Sequence, residues 1–397
     1  MVPLKLLVVD DETDFAEFVA EVALGMGFDV QSTGDPEEFA TLYSADLDIV
    51  VLDLFMPGMD GIELLRFLSN NNCKASVVFM SGKDMGVLHS ARELALEQGI
   101  SVLGTLQKPF RIAELREVLS NFVQRPSIKD TGTDELPSLS ELHTAIEKQE
   151  FFLVYQPQVN ISTRQVIGVE ALLRWKHSSK GMIPPSYFIP VAEENCLISE
   201  IDSVAATTAI MQLGLWQRKG LNLRMSINMS TRVLDDLDLP EKLATSADEL
   251  GADIENITFE VTETALVTDV SRYLDILARL RMKGFNLAID DFGIGYSSLE
   301  QLVRAPFTEL KIDQTFIKNL ETDAECRTVV EISVLLAHQL GMHVVAEGIE
   351  NEAVWNILQE LGCNQGQGYW IGHPMPPEEI EPWILRWSSS LVSSCHG

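Results

Sequence analysis

Between Leu4 and Val123, five short apolar runs alternate with amphipathic stretches. The runs are "LKLLVVD", "FDVQS", "DIVVLD", "SVVFMS" and "SVLGTL", and the stretches include "DFAEFVAEVALGMG" and "ELLRFLSNN". This alternation leaves few folds open. Strand, helix and strand in succession build a parallel sheet, so the first domain (1–123) reads as α/β, a doubly wound five-stranded sheet. Its ligands should gather at the carboxyl ends of the strands. The polar segment that follows holds two prolines and no apolar period, and reads as a linker over 124–137. A helix, "SELHTAIEKQE", leads into a second alternation on a larger scale. Its candidate strands are "FLVYQPQV", "VIGVEALLRW", "RMSINMS", "ITFEVTE", "FNLAIDD", "ELKID", "HVVAEGI" and "QGQGYW". Eight strands over roughly 240 residues predict a (β/α)8, TIM-like barrel across 138–388. The small polar tail, 389–397, is expected to fray.

The balance of charge narrows the function. Asp and Glu number 59 against 29 Lys and Arg, a formal charge of −30. No basic surface could collect the phosphates of a nucleic-acid polymer. A small anionic ligand remains possible if a metal supplies the positive charge. The five cysteines are scattered without a CxxC pair, which favours a reducing, cytoplasmic compartment. The apolar start is cut off by Asp10 and Asp11, too soon for a signal peptide, and no stretch approaches a membrane span.

Two predicted strands run straight into paired acids. In the first domain Asp10 and Asp11 end strand one, Asp53 ends strand three, Ser81 ends strand four, and Lys108 follows strand five. A doubly wound sheet brings these ends to one edge. Three carboxylates there would hold a hard divalent cation such as Mg2+, which prefers oxygen ligands and retains water. With its charge shielded, Asp53 could attack phosphorus in line, and Ser81 and Lys108 would receive the phosphoryl oxygens. A single Asp after a strand is usually a turn or helix cap, so the joint pattern carries the meaning. "VVDDE", "VLDLFMPGMDGIEL", "MSG" and "KPF" together resemble the receiver domain of two-component response regulators. The resemblance includes the Pro57–Gly58 turn. It implies phosphorylation of Asp53 by a cognate sensor histidine kinase, with one Mg2+ near Asp10 and Asp11. Thr105 departs from the pattern, standing where receivers usually carry an aromatic side chain, which puts the aromatic relay to an output domain in question.

In the barrel, Glu170, Glu260, Asp290, Asp291 and Glu347 are five carboxylates at predicted strand ends, with Asn228 beside them. Desolvation and mutual repulsion would force such a crowd to protonate. Two divalent cations bridged by one carboxylate resolve the conflict, and paired metals suit phosphodiester hydrolysis. Asp290 is the expected bridge. Glu170, Asn228 and Glu260 would complete one metal, and Asp291 would serve the other, with Glu347 a further candidate. Lys311 would hold or polarise the water, and either Lys311 or Glu347 takes part in proton transfer. The glycines of "FGIGYSS" let the backbone after Asp291 approach a ligand closely or swing.

The ordered motifs "YQP", "EALLRW", "NMS", "EVTE", "DDFGIGYSSL", "KID", "AEGIE" and "QGY" resemble the EAL-domain cyclic di-GMP phosphodiesterases. The resemblance implies hydrolysis of one phosphodiester bond of cyclic di-GMP to linear pGpG, with Mg2+ or Mn2+. It makes Glu170, Asn228, Glu260, Asp290 and Asp291 metal ligands, and puts Lys311, Glu347 and Gln367 around the reaction. Glu263 and Glu350 are supporting residues by the same resemblance, Glu263 steadying the loop after Asp291. Gln156 and Arg174 are nucleotide or phosphate contacts. Asn364 replaces an Asp often seen before "QGY", and no GGDEF-like cyclase motif appears. The rival is a degenerate barrel that binds the messenger without cleaving it; such members usually lose the first Glu, a metal Asp or the loop Glu, all retained here. Control by Asp53 phosphorylation, of either sign, and a homodimer or higher oligomer are further expectations.

Overall fold

The computed structural model describes residues 4–44, 47–56, 60–71, 73–82, 85–124, 137–263, 270–294 and 299–394. The chain divides into two compact units, Met1–Thr131 and Gly132–Gly397. The expected Pro57–Gly58 turn and nearly all of the expected linker lie outside the described residues.

The first unit is built on five parallel strands: β1 (Lys5–Val9), β2 (Asp29–Thr33), β3 (Ile49–Asp53), β4 (Ser76–Ser81) and β5 (Val102–Gln107). Their order is β2-β1-β3-β4-β5. The central strands are apolar throughout because both faces are covered. Period-two alternation splits them between two cores: Leu7, Val50, Leu52 and Phe79 on one side, Leu6, Val8, Val51 and Met80 on the other. The order reverses beside β1, so a crevice opens at the ends of β1 and β3. Gly61 begins the helix after β3. A Cβ there would lie 2.6 Å from the Asp53 carbonyl oxygen, so only glycine lets this helix start so close to the strand end.

The second unit contains β6 (Phe151–Asn160), β7 (Val166–His177), β8 (Gly181–Ile183), β9 (Arg224–Asn228), β10 (Ile257–Thr262), β11 (Asn286–Phe292), β12 (Glu309–Ile312), β13 (His343–Ala346) and β14 (Gln365–Gly366). Apart from β8, which extends the edge of β7, they close into an eight-stranded barrel through the β6–β7 and β6–β14 pairings. All eight sequence-predicted strands are present. The barrel differs from an all-parallel one in that β6 is antiparallel to both neighbours. Only residues 161–165 separate β6 from β7, whereas a parallel crossover needs a dozen or more. Asn160 Oδ1 accepts from the Thr163 N–H at 2.8 Å, tightening the hairpin turn. Phe151, at the start of β6, pairs with Trp175 near the end of β7, so β6 begins where the parallel strands finish.

Outward-facing strand residues such as Val169, Ile227, Phe259, Ile289 and Leu310 form one core with the surrounding helices. A smaller cluster seats helix Leu139–Glu147 against Phe151, Trp175 and Phe188. The barrel interior is polar instead of the usual branched aliphatic filling. Gln156, Gln158, Glu170, Ser226, Thr258, Glu260, Glu309 and Lys311 are all buried. The last helix runs from Pro377 to Ser394, and residues 395–397 lie outside the described ones.

Candidate active site

The polar residues at the carboxyl ends of the barrel strands meet around Lys311. Its ammonium lies 2.6 Å from Glu260 Oε2 and from Glu347 Oε1, 3.2 Å from Asp290 Oδ1 and 3.8 Å from Glu170 Oε2. Glu170 is held at both oxygens: Asn228 Nδ2 donates to Oε1 at 2.8 Å, and Gln367 Nε2 donates to Oε2 at 2.6 Å. Oxygens of Asp290, Asp291 and Glu347 lie within 4.8 Å of one another.

Successive strand residues ordinarily face opposite ways. Asp290 and Asp291 converge because the β11–β12 register shifts between Ile289 and Phe292, and because Asp291 adopts a left-handed backbone, φ 54°. Asp tolerates that conformation better than most residues. The Asp291 N–H donates to Asp290 Oδ1 at 3.0 Å, so the turn also orients its neighbour's carboxylate.

The electrostatics are strained. Burial, then the charge of Asp290, pushes Asp291 up to about 6. Burial pushes Glu347 up to about 8 despite the attraction of Lys311, and holds Glu260 well above the usual carboxylate range. Burial alone would lower Lys311; the surrounding carboxylates, Asp290 foremost, outweigh it and raise the ammonium well above its ordinary value. Glu260 Oε1 is buried with no hydrogen-bond partner. An orphaned carboxylate oxygen in an all-oxygen cluster with excess negative charge fits a hard divalent cation.

Above the cluster opens a cleft of about 240 Å³, lined in part by Gln156, Glu170, Arg174, Glu347, Glu350 and Gln367. Gln156 accepts from Gln367 Nε2 at 2.9 Å and donates to the Gly372 carbonyl at 3.0 Å. Arg174 is half-buried and donates to the Leu173 carbonyl at 2.8 Å. Glu350 is exposed on the rim, 3.2 Å from Lys318 Nζ. Glu263 is buried outside the cluster, where its Oε2 accepts from the Gly293 N–H at 2.8 Å. It thus ties down the start of the segment after Asp291, of which residues 295–298 lie outside the described ones.

In the first unit, carboxylate oxygens of Asp10, Asp11 and Asp53 lie within 4.8 Å of one another at the crevice. Lys108 Nζ is 2.7 Å from Asp10 Oδ2 and 2.8 Å from Asp53 Oδ2, and sits 4.6 Å from the centre of the Phe15 ring. Burial raises Asp10 although Lys108 opposes it. Ser81 is fully buried at the end of β4, and its carbonyl accepts from the Lys108 N–H at 2.7 Å. Thr105 is half-buried opposite Phe79.

A family model described as EAL domain matches residues 139–374, and one described as response regulator receiver domain matches residues 6–120. The chain belongs to the EAL family. It is 34% identical to the cyclic di-GMP phosphodiesterase RocR of Pseudomonas aeruginosa over 95% of this chain and 97% of RocR. The EAL domain resembles the PaMucR phosphodiesterase solved in complex with c-di-GMP, with 38% identity and a TM-score of 0.59. That match covers 61% of this chain and 98% of the other. It also resembles an EAL domain protein from Listeria monocytogenes EGD-e, with 30% identity and a TM-score of 0.56, over 63% of this chain and 98% of that one.

Polar residues of the EAL domain that were not singled out from the sequence include the buried Gln158 and Glu309 and the half-buried Asp202. Gln158 donates to Gln367 at 3.0 Å; its signal was its place two residues from Gln156, on the same strand face. Glu309 lies below Lys311, 3.6 Å from Arg224 and 3.5 Å from Thr258 Oγ1, and burial raises its pKa. Asp202, on the helix Ile198–Arg218, accepts from the Ser230 N–H at 2.9 Å and is pushed by burial up to about 6. Nothing in its local sequence marks it.

Proposed function

We propose that the chain is a response regulator whose EAL domain hydrolyses cyclic di-GMP to pGpG with two divalent cations, under control of Asp53 phosphorylation. The boundaries that go with this reading are a receiver at 1–123, a linker at 124–137 and an EAL domain at 138–388. Hydrolysis of cyclic di-GMP is supported by the EAL match and by the relative RocR, named a cyclic di-GMP phosphodiesterase. The observation that carries the two-cation form is the charge of the cluster around the unpartnered Glu260 Oε1. With cations bound and all five carboxylates ionised, the cluster around the Lys311 ammonium would carry four negative charges, which two divalent cations would balance.

Glu170, Asn228, Glu260, Asp290 and Asp291 would hold the cations, which when bound acidify a water and stabilise the departing oxygen. The remaining work belongs to the chain. Arg174 meets the phosphate with a guanidinium suited to paired hydrogen bonds, and Gln156 contacts the nucleotide from the opposite strand. Water oxygen bonds to phosphorus, one ring P–O bond breaks, and the leaving sugar oxygen takes up a proton. Glu347 takes the proton lost by the water, and the Lys311 ammonium, 2.6 Å away, steadies the carboxylate that receives it. Gln367 braces Glu170, Glu263 anchors the Gly293 segment, and Glu350 stands at the rim. In the receiver, Asp53 accepts phosphate from a histidine kinase, with Mg2+ at Asp10 and Asp11 and with Lys108 and Ser81 on the phosphoryl oxygens. Free cysteines at 73, 196, 326 and 363 agree with a cytoplasmic setting, and no described helix is long and apolar enough to cross a membrane. A homodimer or higher oligomer belongs to the same reading.

The test is turnover of cyclic di-GMP by the full chain with Mg2+ or Mn2+, followed by chromatography. The expected product is pGpG, lost with chelator and in Glu170→Ala. Equal turnover by wild type and Glu170→Ala rejects the reading.

A further inference from the structure

Gln158 is 4% exposed and has no part in the reaction just described. Its Nε2 donates to Gln367 Oε1 at 3.0 Å and lies 3.5 Å from Ser226 Oγ. Gln367 in turn directs its amide nitrogen to both Glu170 Oε2 and Gln156 Oε1, and Gln156 donates onward to the Gly372 carbonyl. The polarity of this chain is forced from both ends. An ionised carboxylate and a backbone carbonyl only accept, whereas each amide has one donating and one accepting end. Glu170 therefore requires the NH2 of Gln367. That turns the Gln367 oxygen towards Gln158, where a donor must stand.

We propose that Gln158 is a positioning residue: by donating to Gln367 it locks the amide orientation that holds the Glu170 carboxylate in place, and so tunes divalent-cation affinity without touching the cation. The inference rests on the phosphodiesterase reading for the role of Glu170. Were the Gln367 amide to turn over, its oxygen would face the Glu170 carboxylate, acceptor against acceptor. The strand register favours a fixed arrangement, since Gln156 and Gln158 lie on one rigid hairpin with Glu170.

The experiment titrates Mn2+ alone, by calorimetry, into the full chain carrying Asp10→Asn and Asp11→Asn, so that the receiver cluster is silent. Gln158→Met keeps the volume and removes the donor; Mn2+ affinity should fall about tenfold, within the range for partners that orient a ligand. Gln158→Glu, which offers an acceptor in place of a donor, should weaken it further. The deciding measurement is a cycle with Gln367→Met, since residues acting through one another are non-additive. Without the Gln367 amide, Gln158→Met should have no further effect. Melting by circular dichroism checks each variant, and Gln158→Ala repeats the cycle if the methionine side chain prevents folding. Unchanged affinity in the folded variants, or the same loss with and without Gln367, overturns the proposal. Glu170→Gln separates the two readings. No Mn2+ binding to the wild-type barrel sinks the cation reading and this inference with it. Loss in Glu170→Gln but none in the Gln158 variants sinks this inference alone.

Discussion

Lys311 is 1% exposed and faces four carboxylates, with no other Lys or Arg ion-paired to them among the described residues. Replacing it with Met leaves buried charge uncompensated, which costs about 3–5 kcal/mol when one partner of a buried pair is removed. In chelator, Lys311→Met should lower the melting temperature, and Mn2+ should restore part of the loss; an unchanged melting point would contradict this. Turnover should fall on the order of a hundredfold or more, as for other groups that stabilise developing charge. Glu347 gives a pH signature. Its folded pKa of about 8 lies above its ordinary 4.5, so between those values the folded state keeps a proton that the unfolded state releases. Stability from this group is therefore full below the lower value and is lost as pH rises through the upper one. In chelator, the unfolding free energy of wild type minus that of Glu347→Gln should shrink from about pH 5 to about pH 8. A rise would refute the assignment. Glu170, Glu260, Asp290 and Lys311 were legible in the sequence because each interrupts or ends an apolar run. Gln158 and Glu309 were not, because a buried polar residue two positions from another looks ordinary until the barrel closes around it.

The eight strands were legible as elements, and their spacing gave the barrel. The direction of β6 was not read, although the five residues before β7 already ruled out a crossover. The turn at Asp291 was also hidden, since a left-handed residue other than glycine has no sequence mark of its own. Contacts between elements are harder still, and Asp202 is the example. Its carboxyl joins the helix Ile198–Arg218 to the segment just beyond Asn228. Asp202→Leu leaves the Ser230 N–H without an acceptor, at a cost of about 1–3 kcal/mol, whereas Asp202→Asn keeps an accepting oxygen and should cost less. Denaturant unfolding compares them, and equal losses would mean that the hydrogen bond is not what matters.

Across the whole molecule, the formal charge is −30, and two clusters of acids among the described residues are suited to cations. Acetyl phosphate with Mg2+ should change cyclic di-GMP turnover in wild type and leave Asp53→Asn unaffected. Identical wild-type rates despite phosphorylation seen by mass spectrometry would argue that the two activities are uncoupled. Thr105 leaves no aromatic side chain to swing at that position, so such coupling has to travel by another route. The reversed first strand of the barrel has a consequence inside the EAL domain alone. In an all-parallel barrel the incoming polypeptide would enter at the floor. Here β6 starts beside Trp175, at the mouth where the carboxylates gather, so the helix Leu139–Glu147 is seated next to that mouth and not under the floor.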